Sequence, residues 1–173
     1  IGLVHRQRGD RAAALDFYGP LFEWQFAGPG PLAGGLPGEF FVAQIEGRDV
    51  AGIGSLPDTG GPPLPAWTTY IRVESVDDTV ERAQAADGRL LGGLLDALPA
   101  GRLAVLADPA GAAFGVWEAR AREGAQLINQ PGAWAMSSLH TTGVERAEAF
   151  YGALFHWQPE AFGPPEAPLT LWR

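Results

Sequence analysis

One nine-residue motif occurs twice in this chain, and this repetition constrains the fold more than any other feature. Residues 17–25 read FYGPLFEWQ and residues 150–158 read FYGALFHWQ, so seven of the nine positions are identical at an offset of 133 residues. Chance does not explain such identity at one offset, whereas an internal repeat does. The same offset superposes residues 1–8 on residues 134–141. We therefore predict a repeated unit that begins with a strand and continues into a helix.

Apolar residues in both copies follow the i, i+3, i+4 and i+7 spacing of an amphipathic helix. They are Ala14, Phe17, Tyr18 and Leu21 in the first copy, and Ala147, Phe150, Tyr151 and Leu154 in the second. We predict helices over residues 10–22 and 144–155, each with one buried face. Asp10 is the expected N-cap of the first helix, and Pro20 should weaken its last turn.

The residues between these two helices alternate between strand and helix patterns. Strands are predicted at residues 39–46, 49–55, 67–73, 102–107 and 112–118, and an amphipathic helix begins near Asp77 and ends at Gly88, its expected C′ glycine. A ferredoxin-like domain would need a further helix between the last strands. No helical period occurs from residue 90 to residue 118, which disfavours that alternative.

These elements divide the chain into modules of similar order. Residues 1–55 and 67–118 are predicted to be two modules of one complete domain, residues 119–131 a linker, and residues 132–173 the start of a second, incomplete domain. A lone strand and helix cannot bury enough apolar surface to be stable alone. We therefore expect residues 134–140 to pair with another sheet, and the natural chain either to continue for several dozen residues or to have a disordered remainder.

Composition excludes several classes of protein. The chain contains no cysteine, which excludes disulfides, iron–sulfur clusters and thiolate zinc sites. Its formal net charge is −8, and its twelve basic residues form no dense run, so we expect no nucleic-acid partner. No secretion signal and no apolar run approaching about 18 residues is present, so the expected location is the cytoplasm, without a membrane partner.

Five segments, in this order, resemble one known family. They are FYGPLFEWQF at residues 17–26, GRDVAGIG at 47–54, PAWTTYIRV at 65–73, ADPAGAAFGVWEA at 107–119 and FYGALFHWQ at 150–158. Over nearly its whole length the chain is similar to the two-domain glyoxalase-like proteins of actinobacteria, within the glyoxalase, bleomycin-resistance and extradiol-dioxygenase (vicinal oxygen chelate) superfamily. The resemblance implies an α+β fold in which paired βαβββ modules form a curved mixed-sheet cup, with the helices outside and the domain duplicated in tandem.

The resemblance also implies where metal-dependent members of the superfamily hold their metal. In this sequence those positions fall at Leu3, at Gly52 or Gly54, at Thr68 and at Gly115. Divalent metals need several imidazole or carboxylate donors, and leucine and glycine side chains offer none. Shifting the alignment by two residues would bring His5 to the first position and still leave a poor site. We therefore expect no metal and no other cofactor, with space for an organic ligand instead.

By the family pattern, one face of the first strand and one face of the fifth line the cup. We predict His5, Tyr70 and Arg72 as a catalytic set, because a neutral imidazole in a closed pocket can act as a base near neutral pH. The predicted ligand-binding residues are Leu3, His5, Thr68, Tyr70, Arg72, Gly115, Trp117, Ser138 and His140. Purely structural roles remain open for these residues. His5 could be a polar residue at the edge of the sheet, Tyr70 and Arg72 could be solvated residues at the rim, and Trp117 could belong to the core.

Ser138 and His140 correspond to His5 and Gln7 in the repeat and are predicted to share one strand face. They lack the orienting acid and the oxyanion hole that a nucleophilic dyad needs. His156 is expected to be exposed.

Three function classes stay open. The first is a protein that binds a small aromatic or polyketide-like molecule without metal. The second is a hydroxylase, isomerase or cyclase of secondary metabolism that uses His5, Tyr70 and Arg72. The third is a metal-dependent lyase or dioxygenase. The expected partner is a small molecule, with the second domain pairing either within the chain or in a homodimer.

Overall fold

The computed structural model describes residues 2–7, 11–55, 66–164, 166 and 169–172, with the backbone alone at residues 2–7 and 11. The strands are β1 (Gly2–Gln7), β2 (Gln25–Pro31), β3 (Glu39–Ile45), β4 (Arg48–Ser55), β5 (Ala66–Val73), β6 (Arg89–Leu90), β7 (Leu95–Ala97), β8 (Gly101–Ala107), β9 (Ala113–Ala119), β10 (Pro159–Phe162) and β11 (Leu169–Trp172). The helices are α1 (Arg11–Phe22), α2 (Val76–Ala85) and α3 (Val144–Phe155), with a short 3-10 helix at Ala33–Gly35. None of these helices is long and apolar enough to cross a membrane.

Nine strands form one mixed sheet in the order β2-β3-β4-β1-β5-β9-β8-β6, with β7 also paired to β8. The pairs β1–β4 and β5–β9 are parallel, and the remaining pairs are antiparallel. This arrangement confirms the α+β class with a mixed sheet. The absence of a helix between residues 90 and 118 agrees with the sequence, since that stretch consists of strands and turns.

Side-chain alternation along β8 and β9 separates the two faces of the sheet. On one face, Leu106 and Val116 are fully buried in a cluster with Val80 and Ala83 of α2. Trp117 has the opposite parity and lies on the other face. The hydroxyl of Ser75 caps α2 by accepting a hydrogen bond from the amide of Asp78 at 3.1 Å. Helix α2 therefore covers one sheet face, and the opposite face is left for a cavity.

Helix α3 packs on the same apolar cluster as α2. Its residues Ala147, Phe150, Tyr151 and Leu154 are all buried. The ring of Phe114 on β9 makes edge contacts with Phe150 and Tyr151, at centroid distances of 6.1 and 5.6 Å. Residues 144–155 are thus part of the core that α2 and the sheet form, and they are not an unpacked tail.

A buried hydrogen bond joins α3 to the turn before β9. The hydroxyl of Tyr151 donates to Oδ2 of Asp108 at 3.2 Å, and Oδ1 of Asp108 accepts from the amides of Ala110 and Ala112, both at 2.9 Å. Burial raises the pKa of Tyr151 above its ordinary value near 10, and the negative charge of Asp108 raises it further.

This bond predicts a pH-dependent contribution to stability. Tyr151→Phe should lower the free energy of unfolding by about 1.5 kcal/mol at neutral pH. The pKa of Tyr151 is higher in the folded protein than in the unfolded chain. The hydrogen bond to Asp108 therefore contributes fully to stability below pH 10. Above pH 10 the unfolded chain loses the tyrosine proton first, and this contribution decreases as the pH rises. Urea unfolding of both proteins at a series of pH values measures the difference. A difference that does not shrink above pH 10 would contradict the assignment.

The two copies of the repeated motif end their helices in the same way. Glu23 after α1 and His156 after α3 both adopt a left-handed conformation, with φ of 57° and 59°. The rings also repeat: Phe22 and Trp24 lie 4.9 Å apart, and Phe155 and Trp157 lie 4.8 Å apart. The local geometry of the motif is therefore set by its own sequence. Asp10, the predicted N-cap, lies outside the described residues.

The predicted strand at residues 134–141 is wrong. This segment is irregular apart from one bridge between Trp134 and Ile128, so Ser138 and His140 do not share a strand face. The strand that this segment passes, β5, is already paired on both sides, with β1 and β9, and offers the segment no free edge. The segment instead passes beside β5, where the hydroxyls of Ser137 and Thr69 are 2.7 Å apart.

Two further details differ from the sequence-based expectation. The left-handed residue after α2 is Asp87, with φ of 64°, and not Gly88. Gly88 is required for space, since a Cβ there would lie 2.8 Å from the ring of Phe150 and from the carbonyl of Ala83. The strands β2, β6, β7, β10 and β11 were not predicted, because Gly and Pro interrupt β2 and the other four are only two to four residues long.

Candidate functional site

A cavity of about 700 Å³ lies on the sheet face opposite α2. Its walls come from both halves of the sheet, from the loop after β7 and from residues 122–125. The side chains that line it include Phe40, Asp49, Tyr70, Arg72, Leu98, Trp117 and Arg122. This volume lies within the usual range for small-molecule sites, about 300–1,000 Å³.

Two aromatic rings in the cavity wall lie directly on glycines of neighbouring strands. A Cβ on Gly115 would overlap the ring of Tyr70, and a Cβ on Gly52 would overlap the ring of Phe40. A Cβ on Gly54 would also lie close to Phe40, 3.1 Å from a ring carbon. At these glycines the rings of Phe40 and Tyr70 supply apolar surface, and Gly52 and Gly54 line the cavity beside them.

Arg72 and Trp117 come from neighbouring strands and occupy paired positions, Arg72 on β5 beside Trp117 on β9. A guanidinium nitrogen of Arg72 lies 3.6 Å from a carboxylate oxygen of Glu123. The indole nitrogen of Trp117 donates to the backbone carbonyl of Arg122 at 2.9 Å. Both side chains thus hold residues 122 and 123 at the cavity as well as lining it.

Residues 120–126, the closing segment, contribute one wall of the cavity through residues 122–125. The amides of Arg120 and Arg122 both donate to the carbonyl of Ala100 at 3.0 Å. At its other end, the amide of Gln126 donates to the carbonyl of Asp49 at 2.7 Å, and the side chain of Gln126 accepts from the amide of Asp49 at 2.8 Å. The closing segment therefore connects the loop after β7 to the start of β4.

Asp49 is the polar centre of this end of the cavity. Its side chain forms an ion pair with Arg122 and accepts a hydrogen bond from the amide nitrogen of Gln44 at 2.7 Å. Since Arg122 pairs with Asp49 and Arg72 lies beside Glu123, both arginines of the cavity have a carboxylate partner. The site is therefore close to neutral, which suits an uncharged ligand better than an anion.

The structure gathers only some of the residues predicted to bind a ligand. Tyr70, Arg72 and Trp117 line the cavity, and Gly115 lies beneath the Tyr70 ring. Thr68, Ser138 and His140 do not line it. The side chains of Leu3 and His5 lie outside the described part of the chain, although the backbone of His5 pairs with Ile53 and Trp67.

The described residues do not fit a metal site of the kind that the superfamily resemblance implies. Three of the implied positions that are described with side chains, Gly52, Gly54 and Gly115, carry no donor atom, and two aromatic rings cover them. Among the residues whose side chains are described, no three histidine, aspartate or glutamate side chains come together in a way that would hold a metal ion.

The chain matches no family model, and it does resemble several known proteins. It is 36% identical over 154 residues to CFP32 of Mycobacterium bovis, provisionally named a glyoxylase, across 87% of this chain and 58% of that protein. It is 34% identical over 179 residues to the anthracycline biosynthesis protein DnrV of Streptomyces peucetius, across 94% of this chain and 62% of that protein. The chain thus spans about three fifths of the length of these curated relatives.

Two solved structures share the fold. The Mn(II)-bound glyoxalase from Novosphingobium aromaticivorans superposes with a TM-score of 0.56 at 14% identity, over 91% of this chain and 52% of that one. Hypothetical protein BH1468 from Bacillus halodurans superposes with a TM-score of 0.51 at 13% identity, over 73% of this chain and 96% of that one. At such low identity the likeness shows the fold alone.

Proposed function

Because the chain belongs to the glyoxalase, bleomycin-resistance and extradiol-dioxygenase superfamily, we propose that it binds a flat, largely apolar organic molecule in its cavity without a metal ion. One observation carries this proposal. Aromatic rings occupy the glycine positions where metal-dependent relatives would place donor side chains, so the wall offers apolar contact surface in place of ligands. Apolar burial with a few placed polar groups is how such pockets bind small molecules.

The chemistry of the wall supports an aromatic, polyketide-like ligand. Phe40, Tyr70 and Trp117 present rings that favour offset or edge contact with another ring system, worth about 0.5–1.5 kcal/mol each beyond area burial. Tyr70 and Arg72 both line the cavity, so their phenol and guanidinium groups lie where a carbonyl or hydroxyl group of the ligand would be oriented. Similarity to an anthracycline biosynthesis protein agrees with a fused aromatic ligand.

The arrangement of the sheet supports the curved cup that the superfamily resemblance implies. The cavity lies between strands β2–β4 on one side and β7–β9 on the other, and α2 and α3 lie on the opposite face. The repeated helix geometry supports a tandem duplication of the domain. The irregular segment at residues 134–141 counts against a complete copy of the strand that opens the repeat.

An enzyme of secondary metabolism is the second candidate function, since Tyr70 and Arg72 both line the cavity. In that case Tyr70 would exchange a proton with the ligand while Arg72 orients it. Recovery of a bound dihydroxyanthraquinone unchanged after long incubation favours binding, and its conversion to an isomer favours the enzyme.

A charge at the mouth of the cavity is expected to weaken ligand binding. Leu98 lines the cavity and is 57% exposed, so Leu98→Asp should leave the fold intact while placing a carboxylate against the apolar ligand. Losing most of a leucine contact corresponds to at least about tenfold weaker binding. Fluorescence titration with a dihydroxyanthraquinone, repeated after treatment with EDTA, measures the dissociation constant.

Leu91→Asp is the matched control, because Leu91 is 42% exposed and does not line the cavity. Its dissociation constant should equal that of the unsubstituted protein. Equal weakening by both substitutions, or loss of binding on EDTA treatment alone, would contradict the proposed mode of binding.

Trp117→Ala should weaken binding further than Leu98→Asp does. This substitution removes an aromatic wall of the cavity and also the hydrogen bond that anchors the closing segment.

A further inference from the structure

A second groove, with a volume of about 470 Å³, lies against the apolar cavity and is not needed to bind a purely apolar ligand. Five residues line both spaces: Asp49, Pro99, Ala100, Arg122 and Glu123. Gln44, Ala121 and Gln126 line the groove and not the cavity. We call this second space the polar groove, because five of its nine lining residues carry a polar side chain.

Hydrogen bonds within the polar groove fix the orientation of its two glutamine side chains. The amide nitrogen of Gln44 donates to a carboxylate oxygen of Asp49 at 2.7 Å. The side-chain oxygen of Gln126 accepts from the backbone amide of Asp49 at 2.8 Å. A carboxylate accepts and a backbone N–H donates, so neither glutamine side chain can be turned end for end.

Each glutamine therefore keeps one polar end for a further partner. The side-chain oxygen of Gln44, an acceptor, and the side-chain nitrogen of Gln126, a donor, form no hydrogen bond within the described part of the chain. The polar groove thus combines an acceptor and a donor that a bound molecule can use. Hydroxyl groups suit such a pair, since each of them both donates and accepts.

The charged side chains of the polar groove compensate one another. Arg122 forms an ion pair with Asp49, whose side chain is only 16% exposed. A carboxylate oxygen of Glu123 lies 3.6 Å from a guanidinium nitrogen of Arg72. A charged substituent would have to compete with these pairs and leave one of their members without its partner. A neutral substituent with several hydroxyl groups would leave both pairs in place.

We propose that the polar groove is a subsite for a neutral, hydroxyl-rich substituent, such as a sugar, that the aromatic ligand of the cavity carries. This inference rests on the proposed function and names the class of its ligand, a glycoside of a fused aromatic compound. The aromatic part lies against Tyr70 and Trp117. The substituent leaves the cavity at Asp49 and Arg122, which line both spaces.

Ala121 allows the polar groove to be blocked without a change in the cavity. It is exposed and lines only the groove, and its backbone amide donates to the carbonyl of Pro99 at 3.2 Å, a bond that a larger side chain would keep. Ala121→Leu would therefore fill part of the groove and leave the fold intact. Ala121→Ser is the small control at the same position. Ala85→Leu adds the same side chain at an exposed position of α2 that lines neither space.

Fluorescence titration compares a dihydroxyanthraquinone with two of its monoglucosides, which carry the sugar on different hydroxyl groups. We expect at least one glucoside to bind the unsubstituted protein at least about fivefold more tightly than the aglycone, as one or two further hydrogen bonds would give. Ala121→Leu should remove this advantage and leave the dissociation constant of the aglycone unchanged. Ala121→Ser and Ala85→Leu should retain the advantage.

Glucosides that bind no more tightly than the aglycone would overturn the proposal, and so would an advantage that survives Ala121→Leu. Equal losses of aglycone and glucoside binding in Ala121→Leu would also overturn it, because position 121 would then act on the cavity. In each of these cases the aglycone still binds the unsubstituted protein, so the proposed function stands. Failure of the aglycone and of both glucosides to bind would overturn the proposed function and this proposal with it.

Discussion

Replacing Phe150 by alanine in the 173-residue chain is expected to lower the free energy of unfolding by about 3–5 kcal/mol, whereas Phe17→Ala should lower it by less than about 1 kcal/mol. The two residues hold the same place in the motif, and each lies 5.0 Å from the ring of the following tyrosine. They differ in what covers them: Phe150 is buried against α2 and Phe114, and Phe17 is largely exposed.

Urea unfolding followed by circular dichroism measures both values, and equal m-values would show that the comparison is valid. Because the local motif is the same, the difference between the two variants measures what burial of Phe150 against α2 and Phe114 contributes. Similar losses for both variants would contradict the packing of α3 in the core. The same result would weaken the case that residues 144–155 belong to this folded unit.

Gly115→Ala is expected to lower the free energy of unfolding by about 1–3 kcal/mol and also to weaken ligand binding. The added methyl group would overlap the ring of Tyr70, which must then move into the cavity. Gly93→Ala is the matched control, since a Cβ there meets no atom within 4 Å. Its stability should change by no more than about 0.5 kcal/mol.

A double-mutant cycle with Tyr70→Leu separates the overlap from other causes. Once the ring is absent, adding Gly115→Ala should cost much less than it does in the unsubstituted protein, so the two changes should be non-additive. Additive losses would show that the glycine is needed for a reason other than the Tyr70 ring. Ligand titrations on the unsubstituted protein, the two single variants and the double variant test whether the position of the Tyr70 ring and the affinity for the ligand change together.

Local sequence patterns predicted the helices closely. The expected helices at residues 10–22 and 144–155 correspond to Arg11–Phe22 and Val144–Phe155. Helical periodicity and the turn that ends each helix depend on residues within one or two turns, so the sequence carries them. The strand expected at residues 134–141 failed because strand formation needs a free partner edge, and β5 has none to offer.

The sequence predicted those site residues whose side chains alternate along a strand. It did not predict those whose position depends on tertiary contacts. The face shared by Tyr70 and Arg72 does line the cavity, and so does Trp117. Phe40 could have been found by the same alternation along β3. No sequence pattern indicated that the closing segment lines the cavity. A polar stretch of Arg, Glu and Gly is typical of a solvated loop, and its position follows only from its hydrogen bonds to Ala100 and Asp49.

Native mass spectrometry of the protein from its natural host, combined with elemental analysis, tests the central claim most directly. A metal-independent binding cavity predicts one organic molecule of several hundred daltons per chain, released on denaturation and retained after dialysis against EDTA. It also predicts that Leu98→Asp lowers the occupied fraction while Leu91→Asp does not. One divalent ion per chain, with loss of the organic molecule when that ion is removed, would contradict the account.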